Sequence, residues 1–243
     1  MAKINEVTVT ADKVYKRKVF VRLAKIIVLL LLVVVSLTYF ILYMINNGAG
    51  FTIRVDKELT TSNIFLTLDD SANSKNLTRS LSSKAVDYMD NISINWIDQD
   101  VDTEAVGSHN GNNYYAYTFF LVNKGDETIN YWYQISIEDT LLNLDEAIRV
   151  MVFHNGEKTV YAKLNSNTKK PESGTKKFYN DGIPVLEEVK NFAPGDKDRF
   201  TVVVWIEGDD PDCNNELIGG GIKMSMKMTE ERIERDKWGV QYE

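Results

Sequence analysis

A run of twenty residues without charge, glycine or proline, from Ile26 to Ile45, most constrains what this chain can fold into. As a helix rising about 1.5 Å per residue, it measures roughly 30 Å, the thickness of the hydrocarbon core of a bilayer. A helix satisfies its own backbone hydrogen bonds, as a segment surrounded by lipid must. The sequence therefore predicts a transmembrane helix over 26–45, with the lipid bilayer as its partner.

The charge on either side of this helix predicts its orientation. Residues 1–25 carry seven basic and two acidic side chains, whereas the rest of the chain carries 21 basic and 33 acidic ones. Basic residues beside a span remain in the cytoplasm, so 1–25 is predicted to be a cytoplasmic tail, with 46–50 as a linker to an extracellular domain. A signal peptide cleaved at Gly48-Ala49-Gly50 is the alternative. The apolar run exceeds the roughly 7–15 residues of such peptides, which favours a retained anchor.

Residues 51–228 show the patterns of a β-sheet protein. Thr128 to Glu138 alternates apolar and polar residues, Asn113 to Val122 is apolar on both faces, and Asn155-Gly156 predicts a type I′ hairpin turn. Nine strands are predicted, over 51–55, 63–68, 92–97, 113–122, 128–138, 147–154, 157–163, 199–207 and 222–228. Short connections between them indicate an all-β fold, an antiparallel two-sheet sandwich or jelly roll. A short helix is predicted over 83–90, and 229–243 is predicted to be a charged tail.

The inventory of catalytic motifs is poor. His109 and His154 are the only histidines and lack zinc-site spacing, and the single cysteine, Cys213, is predicted to be a bystander thiol. No nucleophile-elbow or phosphate-binding glycine motif occurs. The sequence therefore predicts a protein that is not an enzyme and that has no cofactor, with calcium as the one ion left open. The acidic composition argues against nucleic acid as a partner.

Calcium is the one metal that the sequence suggests. Glu207, Asp209, Asp210 and Asp212 lie together in an acidic loop, and Ca²⁺ is a hard cation that takes six to eight oxygen ligands. No fixed ligand spacing supports this assignment, so a solvated acidic loop is favoured over a calcium site.

A second acidic segment, Asp98-Gln-Asp100-Val-Asp102, resembles the start of an EF-hand loop. Thr103 stands where that loop needs glycine, and His109 stands where it needs a bidentate glutamate. An acidic surface loop is therefore the favoured interpretation.

Aromatic residues at strand spacing offer a candidate interaction surface. Trp132 interrupts the polar face of its strand, and Tyr131 and Tyr133 flank it. Core packing is the favoured role for the aromatic residues, and an aromatic recognition face formed by these three is the alternative.

Two segments, YAYTFFLVNKGDETINYWYQISI (115–137) and VVVWIEGDDPDC (202–213), resemble those of single-pass surface proteins of Gram-positive bacteria. The layout is distantly similar to the TasA/camelysin group, which implies a jelly-roll-like sandwich. In TasA-type proteins, subunits form extracellular fibres by donating a strand to a neighbour. The long basic tail and the uninterrupted apolar run depart from that group.

These observations lead us to expect a membrane-anchored extracellular β-sandwich with a structural, adhesive or protein-interaction role at the bacterial surface. Its partner is expected to be a surface or envelope protein, or a second copy of the chain. The alternatives are a fibre subunit released by cleavage near Gly50 and a calcium-dependent binding module.

Overall fold

A computed structural model of the protein describes residues 2–47, 49–71, 75–230, 234–235 and 241–242, with side chains over 13–40, 50–71 and 75–230. The chain divides into two compact units, Met1–Gly48 and Ala49–Glu243.

The first unit is a single helix, α1, over Ala2–Asn47. It contains the predicted helix 26–45 and extends through the basic residues before it, because no glycine or proline interrupts the chain between its ends. No described side chain from Lys13 to Phe40 is buried, and the hydroxyl of Thr38 donates to the carbonyl of Val34 at 2.6 Å. The helix is long and apolar enough to cross a membrane.

The regular secondary structure of the second unit is almost entirely strand. The strands are β1 (Ala49–Val55), β2 (Ile64–Thr67), β3 (Ser80–Lys84), β4 (Asn91–Ile92), β5 (Gly107–Ser108), β6 (Tyr114–Asn123), β7 (Ile129–Leu141), β8 (Ile148–His154), β9 (Glu157–Ala162), β10 (Lys176–Lys177), β11 (Val185–Phe192), β12 (Lys197–Glu207), β13 (Gly221–Thr229), β14 (Glu234–Arg235) and β15 (Gln241–Tyr242). A short helix, α2 (Lys57–Thr61), follows β1, and 3₁₀ turns occupy Ile94–Trp96, Leu144–Glu146 and Asn215–Leu217.

Two sheets form the sandwich. Sheet A has the order β11-β7-β13-β1-β3, and sheet B has the order β10-β9-β8-β12-β6-β2, with β4 beside β12 and β5 beside β6. The prediction of an all-β sandwich behind one N-terminal helix is thereby confirmed. Most neighbouring strands are antiparallel as predicted, but β1 with β13, β4 with β12 and β10 with β9 are parallel, so both sheets are mixed.

The main core lies between the two sheets. Alternate side chains of β7 and β13 fill it from sheet A, as their sequence pattern predicts: Ile129, Tyr131, Tyr133, Ile135, Met224, Met226 and Met228. Sheet B contributes Tyr115, Tyr117, Phe119, Leu121, Val150, Val152, Phe200, Val202 and Val204. Burial of this apolar surface is the main term that holds the two sheets together.

A second apolar cluster covers the opposite face of sheet B. The residues 85–113 between β3 and β6 form what we call the covering segment. Its side chains Ile92, Ile97 and Val101 pack on Tyr114 and Trp205 of that sheet. The prediction that strand 113–122 is covered on both faces is confirmed, since every residue of β6 is buried.

Two predictions for β3 and the segment that follows it are wrong. Residues 83–90 form no helix, because the hydroxyl of Ser83 accepts a hydrogen bond from the backbone N–H of Phe51 at 3.1 Å instead of capping a helix. Only Asn91–Ile92 of the predicted strand 92–97 pairs with a neighbour, and the 3₁₀ turn at Ile94–Trp96 ends the extended conformation.

Candidate functional site

The predicted calcium ligands do not converge on a common centre. Glu207 Oε2 accepts a hydrogen bond from the indole N–H of Trp205 at 3.0 Å and from the backbone N–H of Ile94 at 3.3 Å. Its Oε1 accepts from the backbone N–H of Asp209 at 3.3 Å. Both oxygens of Glu207 are therefore engaged by protein donors, and they anchor the covering segment to the end of β12.

Asp210 is one half of a buried ion pair. Its Oδ2 lies 2.5 Å from Arg149 Nη2, and the two side chains are only 2% and 4% exposed. Its Oδ1 accepts from the backbone N–H of Asp212 at 2.8 Å, and Arg149 also donates to the carbonyl of Ile148 at 3.3 Å. The pair joins the acidic loop to the beginning of β8.

Asp212 points toward a different segment. Its carboxylate accepts from the backbone N–H of Ser166 at 2.9 Å and from the hydroxyl of the same residue. Among the residues whose side chains are described, no three His, Cys, Asp or Glu side chains form a group that could hold a metal ion. No cluster of ligands among the described residues therefore supports a calcium site at Glu207, Asp209, Asp210 and Asp212.

The acidic segment 98–102 likewise holds the covering segment in place. Asp98 accepts from the hydroxyl of Tyr114 at 2.6 Å, and Asp102 accepts from the hydroxyl of Thr201 at 3.0 Å. Burial, together with the carboxylate of Asp98, raises the pKa of Tyr114 to about 12. Further along, the ring nitrogens of His109 lie 2.9 Å and 3.0 Å from two backbone carbonyl oxygens.

Two of the three predicted interaction residues belong to the core. Tyr131 is 0% exposed and Tyr133 is 7% exposed, so neither presents a surface to a partner. Trp132 is half-buried on the other face of β7, between the paired positions Glu188 and Thr229. The strand alternation that buries the tyrosines turns Trp132 outward, and its role as a contact residue stays a prediction.

A polar cluster inside the sandwich was missed at the sequence level. The hydroxyl of Tyr131, on β7, donates to Asp198 Oδ2 on β12, and Asn155 Nδ2 donates to Asp198 Oδ1 at 2.7 Å. His154 Nε2 lies 3.3 Å from Asp198 Oδ2, and its ring stacks on Phe200 with centroids 4.7 Å apart. Tyr131 is fully buried on β7 and Asp198 lies on β12, so the cluster joins sheet A to sheet B.

The environment of Asp198 determines its ionisation. Burial by itself raises the pKa of this carboxyl, but the hydrogen bonds from His154, Tyr131 and Asn155 outweigh burial and leave the pKa below the ordinary value of 3.8. A depressed folded-state pKa stabilises the native protein above the unfolded-state pKa of about 4, and this contribution is lost as the pH falls through the folded-state value.

Asp198→Asn is expected to destabilise the sandwich by about 1–3 kcal/mol at pH 7, because its polar neighbours lose a charged acceptor. The difference in unfolding free energy from wild type should shrink at pH 3, because the depressed pKa of Asp198 contributes less stability below the unfolded-state pKa of about 4. Denaturation of both proteins at the two pH values measures this. The exposed Asp126→Asn is the control, with no loss expected at either pH. An undiminished difference at pH 3 would contradict the assigned charge.

The thiol of Cys213 is poorly suited to act as a nucleophile. Burial and the nearby carboxylates of Asp210 and Glu207 raise the pKa of Cys213, which keeps the thiol protonated at neutral pH. This environment agrees with the prediction of a bystander thiol.

Comparison with known proteins adds one distant likeness. No protein-family model and no curated protein matches the sequence. Among solved structures, a β-glucosidase from Kluyveromyces marxianus in complex with glucose is similar to this chain, with 10% sequence identity and a TM-score of 0.24. The similar region covers 70% of this chain and 15% of the β-glucosidase chain. The chain thus spans only 15% of that enzyme's length, and a score this low supports no argument about function.

Proposed function

We propose that this protein is a membrane-anchored extracellular β-sandwich with a non-enzymatic structural, adhesive or protein-interaction role at a bacterial cell surface. The observation that carries the proposal is the direct succession of α1, which ends at Asn47, and the sandwich, which begins at Ala49. One intervening residue leaves no long tether, so the sandwich would remain at the membrane that the helix crosses.

The charge pattern supports the orientation in this proposal. The net charge of residues 1–25 is +5 and that of the remaining chain is −12. The positive end of a single-span protein usually stays in the cytoplasm, and this rule supports an orientation with the sandwich outside.

The pairing of polar groups supports a role other than catalysis. Glu207, Asp210 and Asp198, three of the buried carboxylates, each bond to donors of the protein itself. Groups held in this way stabilise contacts between segments, and they leave little capacity for proton transfer to a bound substrate.

Release by cleavage at Gly48-Ala49-Gly50 is disfavoured by the position of β1. Ala49 pairs with Lys84, and a Cβ on Gly50 would lie 2.4 Å from the carbonyl oxygen of that lysine, so both residues are built into the sheet. Cleavage after Gly50 would remove the start of a strand whose residues Phe51 and Ile53 are buried in the core. The fibre alternative needs this cleavage, and N-terminal sequencing of the mature protein tests it.

Orientation can be tested with single-cysteine variants in a Cys213→Ser background. Lys158→Cys places a thiol on the exposed β8–β9 hairpin, and Lys18→Cys places one on the basic half of α1. A membrane-impermeant maleimide applied to intact cells should label Lys158→Cys alone, and both variants should be labelled after permeabilisation. Labelling of Lys18→Cys but not of Lys158→Cys in intact cells would overturn the proposed orientation.

The calcium alternative makes a separate prediction. A ligand that binds only the native state raises its melting temperature. Because Glu207, Asp210 and Asp212 already accept protein hydrogen bonds, we expect calcium to leave the melting temperature unchanged relative to magnesium at equal ionic strength. A calcium-specific increase, lost in Asp209→Asn, would reinstate the calcium module.

A further inference from the structure

One end of the sandwich collects the ends of several strands. The first residue of β1, Ala49, pairs with Lys84 at the end of β3. Because β13 runs parallel to β1, its start at Gly221 lies at this same end, and Gly221 pairs with Leu141 at the end of β7. We call this the proximal end, since it is where the chain arrives from α1.

Sheet B also contributes to the proximal end. A Cβ on Gly220, the residue before β13, would lie 3.2 Å from Leu144 Cβ, and the turn that contains Leu144 leads to Ala147. The carbonyl of Ala147 accepts from the backbone N–H of Glu207 at 2.9 Å, so β12 finishes at the same end. The backbone N–H of Ile94 donates to Glu207, which brings the 3₁₀ turn Ile94–Trp96 there as well.

The most exposed apolar side chains of the sandwich gather at this end. Among the described residues 50–71 and 75–230, the four largest exposures of large apolar side chains are Ile218 at 75%, Tyr88 at 74%, Trp96 at 73% and Leu141 at 59%. Tyr88 belongs to the segment that leaves β3 and reaches β4, and Ile218 precedes the start of β13. Single exposed apolar residues are ordinary, but their concentration at one end of a domain indicates a contact surface.

The opposite end of the sandwich lacks such residues. It comprises α2, the turn 124–128 between β6 and β7, and the turn 193–196 between β11 and β12. Within these described segments no large apolar side chain is exposed. The two ends therefore differ in surface chemistry, and the apolar one is the end that follows the membrane-spanning segment.

The backbone at the proximal end adds an independent observation. Leu142 and Asn143 both adopt the left-handed conformation, with φ of 57° and 53°. A leucine in this conformation is uncommon and costs about 1–2 kcal/mol. The side chain of Leu142 is nevertheless 48% exposed, so burial within the protein does little to offset the cost of this strained conformation. Strained backbone recurs at functional sites, so this exposed apolar tip is a candidate for an external contact.

We propose that the proximal end docks on the lipid headgroup interface of the bilayer through Tyr88, Trp96, Leu141, Leu142 and Ile218. This proposal rests on the membrane anchoring proposed above. A single residue between Asn47 and Ala49 spans at most about 7 Å, so the proximal end stays within reach of the surface from which α1 emerges. Tryptophan and tyrosine favour the headgroup region, where the ring meets both apolar and polar surroundings.

The charges near these residues define the kind of lipid. Asp87, Asp90 and Glu216 are exposed beside them, and Lys84 is the exposed basic residue at the end of β3. Three carboxylates repel anionic headgroups, so attraction by negative lipid does not account for the contact. The contact is therefore apolar and interfacial, it forms on zwitterionic phosphatidylcholine, and it persists at high salt.

Full-length protein in phosphatidylcholine vesicles tests the proposal, with a fluorophore on single cysteines in a Cys213→Ser background. The labels replace Tyr88 and Ile218 at the proximal end, Asp126 at the opposite end, and Leu37 inside the apolar helix. Lipids that carry a nitroxide just below the headgroup quench fluorophores at the interface. The labels at positions 88 and 218 should lose most of their fluorescence at both low and high salt. The label at position 126 should keep its fluorescence.

Each other outcome has a distinct meaning. If the label at Leu37 is quenched while those at Tyr88 and Ile218 behave like that at Asp126, the sandwich stands clear of the lipid and the docking proposal is wrong, although the anchor remains. If all four labels are quenched alike, the contact is not specific to the proximal end and the docking proposal is also wrong. If the label at Leu37 also escapes quenching by lipids that carry the nitroxide deep in the acyl chain, the anchoring itself fails.

Discussion

Arg149→Met is expected to lower the free energy of unfolding by about 3–5 kcal/mol, because it leaves the carboxylate of Asp210 buried without a counter-charge. The Arg149 and Asp210 side chains are 4% and 2% exposed, so water cannot replace the lost partner. The change also removes the donor to the carbonyl of Ile148. Denaturation of the full chain in detergent, followed by tryptophan fluorescence, measures the loss, since Trp205 is fully buried in the same sheet.

A double variant provides the matched control. Arg149→Met combined with Asp210→Leu removes both charges, and apolar residues in place of a buried ion pair are often neutral in stability. The double variant should therefore be more stable than Arg149→Met alone, with a strongly non-additive coupling. Equal stability of wild type and the single variant would show that the ion pair does not form in the protein.

Leu31→Asp combined with Val34→Asp is expected to abolish membrane integration. These residues are 61% and 60% exposed on α1, and a charge near the centre of a spanning helix costs about 2.5–3.5 kcal/mol for each residue. The combined penalty of roughly 5–7 kcal/mol should move the protein out of the membrane fraction, which immunoblotting of fractionated cells measures.

The control for that variant replaces apolar residues by apolar ones. Leu31→Ile combined with Val34→Leu keeps the helix apolar and should leave the protein in the membrane fraction. Unchanged membrane association of the aspartate variant would mean that another part of the chain holds the protein to the membrane.

Strands with a strong sequence signal were predictable. The alternation in β7 and β13 identified their buried faces, and the apolar run of β6 indicated cover on both sides. The Asn155-Gly156 turn is observed with φ of 51° and 88°, the left-handed pair that a type I′ turn requires. These features depend on neighbours in the sequence, which is why the sequence alone reveals them.

Edge strands were missed for a physical reason. β11 contains Glu187, Glu188 and Lys190, and among the described strands it pairs with β7 alone, so its composition resembles that of a loop. Charged residues of this kind protect an exposed sheet edge from pairing with other chains. β3 is short, and its sequence Ser-Leu-Ser-Ser-Lys has one apolar residue, so only its pairing with β1 identifies it as a strand.

The candidate sites were less predictable than the fold, because their contacts join distant parts of the chain. Tyr131 and Asp198 are 67 positions apart, and no local pattern links them. The acidic loop shows the converse, since Glu207, Asp210 and Asp212 are close in sequence but bond to Trp205, Arg149 and Ser166 on separate segments. Sequence proximity offered a shared calcium ion as the alternative to a solvated acidic loop, whereas the fold gives each of these three carboxylates its own donor.

Alkaline carbonate extraction of membranes, with the mass of the extracted protein determined, tests the anchoring of the sandwich most directly. Carbonate releases peripheral proteins and leaves spanning helices in the bilayer. The protein should remain in the membrane pellet at its full-length mass, and a chain that starts at Ala49 should appear in the supernatant. Full-length protein in the carbonate supernatant would contradict the account.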